Sequence, residues 1–198
     1  PSEIVILANE TSSPELVAWD LMAQAEHDED ASSILISTSS EVIHEVKAII
    51  KNECSNLERA MIVKSSLKNN GLIVKIDNLK QAINLINRLA PEHLHLAFEG
   101  HEIDINDLVA GIILEGTDSA VSLSDYVLGP SHILPTNSSA RFSSPLSVED
   151  FLISSSKVAI KSESNKGLYN KLAEKTSLIA RAEGLTAHAI SVEKRKKD

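Results

Sequence analysis

Short apolar runs alternate with segments of helical periodicity over the first 115 residues of the chain. The runs have the length of β-strands and lie at residues 3–8, 33–37, 72–76, 94–98 and 111–115. Between them, apolar residues recur at helical spacing at about residues 14–27, 42–50, 57–67 and 78–90. This alternation predicts an α/β fold, a largely parallel sheet with flanking helices. The strands are continuously apolar, as expected when both faces of the sheet are buried.

The pattern changes after Glu115. Residues 116–147 are rich in serine, glycine and proline, and a loop of this length is usually functional. Beyond it the pattern predicts a short helix at 148–153, a short strand at 158–160, a longer helix at 168–181 and a charged helical end. This tail has too few apolar residues to fold alone and must pack on its own domain or on another subunit. We therefore expect an α/β domain at 1–147 that carries the functional site and a mainly helical C-terminal tail at 148–198.

Composition places the chain among globular proteins and disfavours several partners. Apolar residues make up 42% and charged residues 24%, so a packed core is expected. The net charge of -9 disfavours a nucleic-acid partner, and the basic run at 194–197 is typical of a solvated tail. We expect no membrane partner, since no apolar run approaches the ~20 residues of a membrane span, and no signal peptide opens the chain. The single cysteine, Cys54, indicates a reducing compartment and favours a cytoplasmic location.

Two short motifs offer metal-binding or acid–base groups. Gln24 and His27 are three residues apart and project from one face of the first helix, so they could form half of a zinc site. The alternative is a capped helix end with a solvated histidine. Glu92 and His93 lie between a helix and a strand, where a carboxylate beside an imidazole suits acid–base chemistry. The alternative there is a turn with two exposed polar groups.

Two further motifs follow later in the chain. Asp125 and His132 are predicted to lie on a loop pinned by glycine and prolines, where a carboxylate could bind a metal and an imidazole could bind a substrate. The alternative is an ordinary surface loop. Glu183 and His188 follow the long tail helix, and Gly184 between them has the position of a helix C-cap. That cap explains the glycine but not its two polar neighbours. The remaining histidines, assigned to structure or surface, are His44, His95 and His101.

Together the four motifs supply glutamine, aspartate and histidine without cysteine, a donor set similar to that of a catalytic zinc site open to substrate. Their order is similar to that of the histidinol dehydrogenase family. The resemblance rests on Gln24-Ala-Glu-His27, Pro91-Glu92-His93-Leu94, Asp125-Tyr126 through Gly129 to His132-Ile-Leu-Pro-Thr136, Ala140-Arg-Phe-Ser-Ser144 and Glu183-Gly-Leu-Thr-Ala-His188. It covers essentially the whole chain. The opening Pro1-Ser2-Glu3 resembles the family's Gly-Pro-Ser-Glu cut after its glycine, so we expect roughly the C-terminal half of a longer protein.

The resemblance implies a reaction and a role for each motif. The family oxidises L-histidinol through L-histidinal to L-histidine in two NAD-dependent steps, the last of histidine biosynthesis. The implied zinc ligands are Gln24, His27, Asp125 and His188, the last donated by the partner subunit of a domain-swapped homodimer. Glu92 and His93 match the family's acid–base pair, in which His93 accepts protons and Glu92 activates water. The implied substrate-binding residues are Ser2, Gln24, His27, Glu92, Asp125, His132, Glu183 and His188, with Glu183 also donated in trans.

The resemblance also implies an incomplete Rossmann-like domain and a missing cofactor region. The chain holds no Gly-x-Gly-x-x-Gly fingerprint, and the family's main NAD-binding part precedes the residues present here. We therefore expect the isolated chain to be inactive. Ser124, Ser131 and the stretch 137–139 depart from the family's pattern, which affects the geometry of the substrate loop. Two alternatives stay open: a relative that oxidises another small alcohol, and a non-catalytic zinc-stabilised dimerisation module.

Overall fold

The computed structural model describes residues 1–100, 103–160 and 165–196 and confirms the predicted α/β fold. Five strands form one sheet: β1 (Glu3–Ala8), β2 (Ser32–Ser37), β3 (Gly71–Lys75), β4 (His93–Leu96) and β5 (Ile112–Glu115). Their order is β3-β2-β1-β4-β5, and all four neighbouring pairs are parallel. The most apolar runs of the sequence, β1 and its neighbours, therefore occupy the middle of the sheet, where both faces are covered.

Seven α-helices connect and flank these strands within the described residues. They are α1 (Pro14–Ala25), α2 (Ser40–Glu53), α3 (Ala60–Asn70), α4 (Leu79–Leu89), α5 (Val121–Tyr126), α6 (Lys166–Ala182) and α7 (Thr186–Glu193). Sequence-coded caps explain several of their ends. The Ser13 side chain accepts the Leu16 amide and Pro14 opens α1, while Gly184 adopts a φ of 76° after α6, as its sequence position predicted.

The sheet has one apolar layer on each face. Alternate residues of β1 point to opposite sides: Ile4 and Ile6 pack in a cluster with residues of α1 and α2, and Val5 and Leu7 pack with residues of α4. The register pairs Ile4 with His93, so the start of β4 lies beside the start of β1. This register fixes where the polar groups next to these strands meet.

The chain divides into two compact units, residues 1–152 and residues 153–198. The first contains the sheet and α1 to α5. The second contains α6 and α7, which pack on each other. There, Arg181 binds both carboxylate oxygens of Glu193, at 2.8 and 2.9 Å, and the Ser177 hydroxyl donates to the same carboxylate. The hydrogen bond from Ser177 and the charge of Arg181 lower the pKa of Glu193.

Two local predictions differ from the structure, and a third concerns a residue outside the described ranges. The predicted strand at 158–160 is wrong, because residues 152–160 form neither helix nor strand and are exposed. Asp125 was expected on a loop but lies in the last turn of α5, since the segment after β5 folds into a short helix. His101 lies outside the described residues. Within those residues, no helix combines the length and the hydropathy that crossing a membrane requires.

Candidate metal and acid–base site

The candidate site lies at the amino ends of the central strands. Glu92 and His93 stand at the start of β4, and Ser2 precedes β1. The helix α1 runs back from the carboxyl end of β1, so Gln24 in its last turn lies toward the same edge. His27 was expected on the helix but lies in the turn that follows it, because α1 ends at Ala25. The motifs that are far apart in sequence are therefore collected by the parallel topology.

The neighbouring side chains of Glu92 and His93 are in contact rather than pointing apart. Glu92 Oε2 lies 3.4 Å from His93 Nδ1, and both side chains are buried. The same ring nitrogen lies 3.1 Å from the backbone carbonyl oxygen of Glu3. Because that carbonyl oxygen can only accept, Nδ1 carries a proton and donates it, which leaves Nε2 as the titrating atom of the ring.

The contact shifts the pKa values of the two groups in opposite directions. Burial alone would lower the pKa of His93, but its hydrogen bond to Glu92, the charges of Glu92 and Asp125 and the Glu3 carbonyl raise it above 6.5. Burial would raise the pKa of Glu92, but hydrogen bonds from His93 and the Glu3 amide, with the charges of His93 and His132, lower it below 4.5. In the metal-free protein each shift therefore stabilises the charged form of its own group relative to the same group free in water.

Asp125 lies at the centre of the site. Its side chain is 6% exposed, and its Oδ1 atom lies 3.3 Å from His93 Nε2 and 3.5 Å from His132 Nδ1. Its Oδ2 atom lies 3.9 Å from His27 Nε2. The rings of His27 and His132 are 38% and 54% exposed, so the site is buried on the His93 side and open on the other. A substrate could enter from that open side.

Several buried polar atoms in this region have no hydrogen-bond partner in the described residues. They are Oε1 and Nε2 of Gln24, Nε2 of His93 and Oδ1 of Asp125. Buried polar groups are nearly always satisfied, so the facing atoms of His93 and Asp125 point to a ligand that both would bind. The Gln24 amide is a further unsatisfied group in the last turn of α1. Nitrogen and oxygen donors of this kind suit zinc.

The residues brought together overlap with the expected zinc ligands without being identical to them. Atoms of His93, Asp125 and His132 lie close enough to hold a metal ion. Asp125 belongs to both sets, and His27 contacts the same carboxylate at the longer distance given above. The Gln24 amide is buried in unit one with both of its polar atoms unsatisfied. The donor set as a whole fits a metal that takes nitrogen and oxygen ligands.

An open cleft of about 340 Å³ lies beside His27. Its walls come from the end of α1, the connection between α2 and α3, and the end of α5. The lining residues are Glu26, His27, Leu57, Glu58, Arg59 and Tyr126. The cleft gives the candidate site space next to a predicted metal ligand.

The last two predicted site residues belong to the second unit. Glu183 follows α6 directly, and His188 lies in the first turn of α7. Both are exposed within this chain. Their roles as substrate and zinc ligands stay predictions.

The sequence analysis did not single out two polar residues of the first unit, Asp20 and Glu3. His95 is buried and bonded through both ring nitrogens, to Asp20 Oδ2 at 3.0 Å and to the Gly116 carbonyl at 3.0 Å, so it is structural as predicted. Asp20, its partner, is a polar residue on the buried face of α1, which is the signal that could have found it. Glu3 contacts both members of the acid–base pair, and nothing in its sequence context indicated this.

A parallel sheet with a buried carboxylate–imidazole pair beside unsatisfied nitrogen and oxygen donors defines the class as an α/β domain with a candidate metal and acid–base site. A family model described as histidinol dehydrogenase matches residues 1–196. The chain belongs to the histidinol dehydrogenase family, as its motifs predicted.

Individual relatives agree with the family match. The chain is 45% identical over 196 residues to a histidinol dehydrogenase of Clostridium acetobutylicum, covering 98% of this chain and 44% of the relative. It is 42% identical over 199 residues to that of Aquifex aeolicus, covering 100% of this chain and 46% of the relative. The crystal structure of histidinol dehydrogenase from Elizabethkingia anophelis superposes with a TM-score of 0.88 at 33% identity, covering 98% of this chain and 44% of that one. The chain thus spans less than half the length of these relatives.

Proposed function

We propose that this chain supplies the zinc and substrate site of an enzyme that oxidises L-histidinol through L-histidinal to L-histidine with NAD. The observation that carries the proposal is the position of Asp125, an unsatisfied buried carboxylate beside the buried Glu92–His93 pair. Membership of the histidinol dehydrogenase family supports L-histidinol as the substrate of such a site. Because the chain covers only part of its relatives, the main NAD-binding part is expected outside it.

The proposed zinc ligands are Gln24, His27 and Asp125 together with His188. Gln24 is supported by its two unsatisfied amide atoms, and Asp125 by its orphaned oxygen. Zinc held there would supply a fixed positive charge that binds and orients the imidazole and amine nitrogens of the substrate. His132 and Ser2 would complete the substrate contacts of this unit.

His93 is the proposed base for both oxidations. In the first, His93 Nε2 would accept the carbinol O–H proton, and bound NAD⁺ would supply the acceptor for the carbinol hydride, which converts the alcohol to the aldehyde. The Glu3 carbonyl and the Glu92 carboxylate hold the opposite ring nitrogen, so Nε2 is the atom that faces the reacting group. Removing this base should slow the reaction by about 10²–10⁴-fold.

Glu92 is the proposed group that activates water. The aldehyde must add water before it can lose a second hydride, and a carboxylate near the site can take the proton of that water. After His93 has released its first proton to solvent, it would accept a hydroxyl proton of the resulting gem-diol, and a second NAD⁺ would supply the hydride acceptor, which gives the carboxylic acid. The lowered pKa of Glu92 keeps its carboxylate ionised at neutral pH, the form in which it can accept a proton.

We further propose a homodimer in which Glu183 and His188 enter the partner's site. Both residues lie in the second compact unit, whose exposed apolar residues include Leu172, Leu178 and Ile190. Glu183 would give the cationic substrate a carboxylate partner, which favours L-histidinol over an anionic alcohol. A cytoplasmic location belongs to the same proposal, in keeping with the free, buried thiol of Cys54.

Mixing two variants that each lack the zinc site tests whether His188 is donated by the partner subunit. Asp125→Ala and His188→Ala should each abolish the zinc site when prepared alone. A mixed dimer would combine the intact Asp125 of one chain with the intact His188 of the other, so one site in each mixed dimer should bind zinc again. Mixtures that bind no more zinc than the separate variants would place both residues in one chain and contradict the proposal.

The activity itself is tested by comparing this chain alone with the chain joined to its NAD-binding part. Zinc-loaded protein with both parts should reduce NAD when L-histidinol is added, and Glu92→Gln should release or accumulate the aldehyde. This chain alone should show no such reduction. Turnover of L-histidinol by the isolated chain at an ordinary enzymatic rate would refute the expected division of labour.

A further inference from the structure

Glu3 makes backbone contacts to both members of the acid–base pair. Its amide N–H donates to Glu92 Oε2 at 3.0 Å, and its carbonyl oxygen lies 3.1 Å from His93 Nδ1. The parallel register places it opposite Glu92, one step before the pairing of Ile4 with His93. These two contacts would be made by the backbone of any residue at this position, so they do not explain a glutamate here.

The side chain of Glu3 has its own partners. Its Oε2 atom accepts the backbone N–H of Glu92 at 3.4 Å, which makes the bonding between the two glutamates reciprocal. Its Oε1 atom accepts the backbone N–H of Asn137 at 2.9 Å, across 134 positions of sequence. One carboxylate therefore connects the entrance of β4 to the segment that follows His132.

The segment after His132 needs such an anchor. The His132 segment, residues 127–138, contains neither helix nor strand. Near its end, Asn137 and Ser138 adopt left-handed φ values of 52° and 61°. That conformation is tolerated by asparagine but uncommon for serine, so neighbouring contacts are expected to hold it. The Ser138 hydroxyl donates to the Leu89 carbonyl at 2.6 Å, beside the bond from Asn137 to Glu3.

We propose that Glu3 is a positioning residue whose carboxylate couples the acid–base pair to the His132 segment and so sets the substrate contacts of the site. This inference rests on the proposed function for the identity of the substrate. It does not make Glu3 a catalytic residue or a metal ligand, since its contacts are to Glu92, His93 and Asn137. Replacing a group that orients catalytic or ligating residues typically costs about 10–100-fold in affinity or activity.

Glu3→Gln tests the role at nearly constant shape. A glutamine keeps one acceptor oxygen but turns an NH₂ group toward the second N–H, so one of the two side-chain bonds is lost. The backbone contacts to Glu92 and His93 remain. We expect the zinc-loaded chain to bind L-histidinol about 10–100-fold more weakly, with its zinc affinity changed by less than about twofold. Calorimetric titrations of zinc and then of L-histidinol measure both quantities.

Ser66→Ala serves as the matched control. Ser66 is buried in α3 and donates to the Ala31 carbonyl at 2.9 Å, so its loss removes a hydrogen bond away from the site. This variant should lose stability without losing L-histidinol affinity. If Glu3→Gln binds L-histidinol as the wild type does, or if its zinc and L-histidinol affinities fall together, the positioning role is overturned.

A second readout separates this inference from the proposed function. If the wild-type chain binds no L-histidinol, the proposed function fails, and amide hydrogen exchange then decides about Glu3. In Glu3→Gln the exchange of the Glu92 or Asn137 amide should become at least about tenfold faster than in Ser66→Ala, as loss of one hydrogen bond implies. Unchanged exchange at both amides would remove the coupling on which the inference depends.

Discussion

The Oδ1 atom of Asp125 lies 3.3 Å from Nε2 of His93, and neither atom has a hydrogen-bond partner among the described residues. A proton, a metal ion or a substrate group would each fit between a carboxylate oxygen and an imidazole nitrogen. The two atoms offer nitrogen and oxygen donors to the proposed metal and acid–base site, which has no cysteine among its proposed ligands. It also makes the protonation of His93 the first property to test.

Glu92→Gln should lower the pKa of His93 in the metal-free chain. Burial lowers the pKa of His93, and the hydrogen bond to Glu92 and its negative charge are the main interactions that outweigh burial. With that charge removed, we expect the pKa of His93 to fall below 6.5. An NMR titration of the ring C–H signals measures this change. A pKa that stays above its ordinary value in the variant would show that other groups hold the proton.

The stability of the metal-free chain should depend on pH at both ends of the range. The pKa of Glu92 is lowered by folding, so its contribution is present above about pH 4.5 and is lost as the pH falls through its lower folded pKa. The pKa of His93 is raised, so its contribution is present below about pH 6.5 and is lost as the pH rises through its higher folded pKa. The melting temperature should therefore be highest between these limits. Glu92→Gln should flatten the profile, and an unchanged profile would contradict this account.

Variants of Asp125 and His95 should distinguish a residue of the proposed zinc site from a residue that only supports the fold. Asp125→Asn removes a proposed ligand and should weaken zinc binding by at least about 10–100-fold with little loss of stability. His95→Ala removes a buried ring and leaves its partners Asp20 and the Gly116 carbonyl unsatisfied, which should cost about 2–5 kcal/mol of unfolding free energy. Its zinc affinity, measured at a temperature where the variant is folded, should stay near the wild-type value. Equal effects of both variants on zinc binding would mean that the metal does not depend on Asp125.

The backbone at Asn137 provides a test of the His132 segment. Its φ of 52° is tolerated by asparagine, freely adopted by glycine and strongly unfavourable for a β-branched residue. We expect Asn137→Gly to leave stability unchanged or slightly raised, and Asn137→Val to lose about 1–3 kcal/mol. Urea denaturation of the two variants measures the difference. A valine variant as stable as the glycine variant would exclude the left-handed conformation.

The strands were predictable because continuous apolar runs have few other uses in an α/β domain. The motif residues Glu92, His93 and Asp125 were singled out by their chemistry and by family resemblance, and the structure places their side chains in contact. The element α5 was not predicted because six residues give too little helical periodicity to recognise. Apolar residues at 158–160 suggested a strand, but a strand needs a pairing partner that local sequence cannot specify.

The role of Glu3 could not be predicted for a related reason. Its partners Glu92 and Asn137 are 89 and 134 positions away, and the bonds depend on the register of β1 against β4. His95 illustrates the opposite case. Its sequence context offered no chemistry, and the structure satisfies both of its ring nitrogens within the scaffold.

The most direct test of the central claim is the calorimetric affinity of this chain for L-histidinol, measured with and without zinc. We expect about one zinc per chain and L-histidinol binding that requires the metal, because the proposed ligands include the unsatisfied atoms of Gln24 and Asp125. His188→Ala should lose both. A folded chain that takes up no zinc, or one that binds L-histidinol equally well without it, would contradict the proposed site.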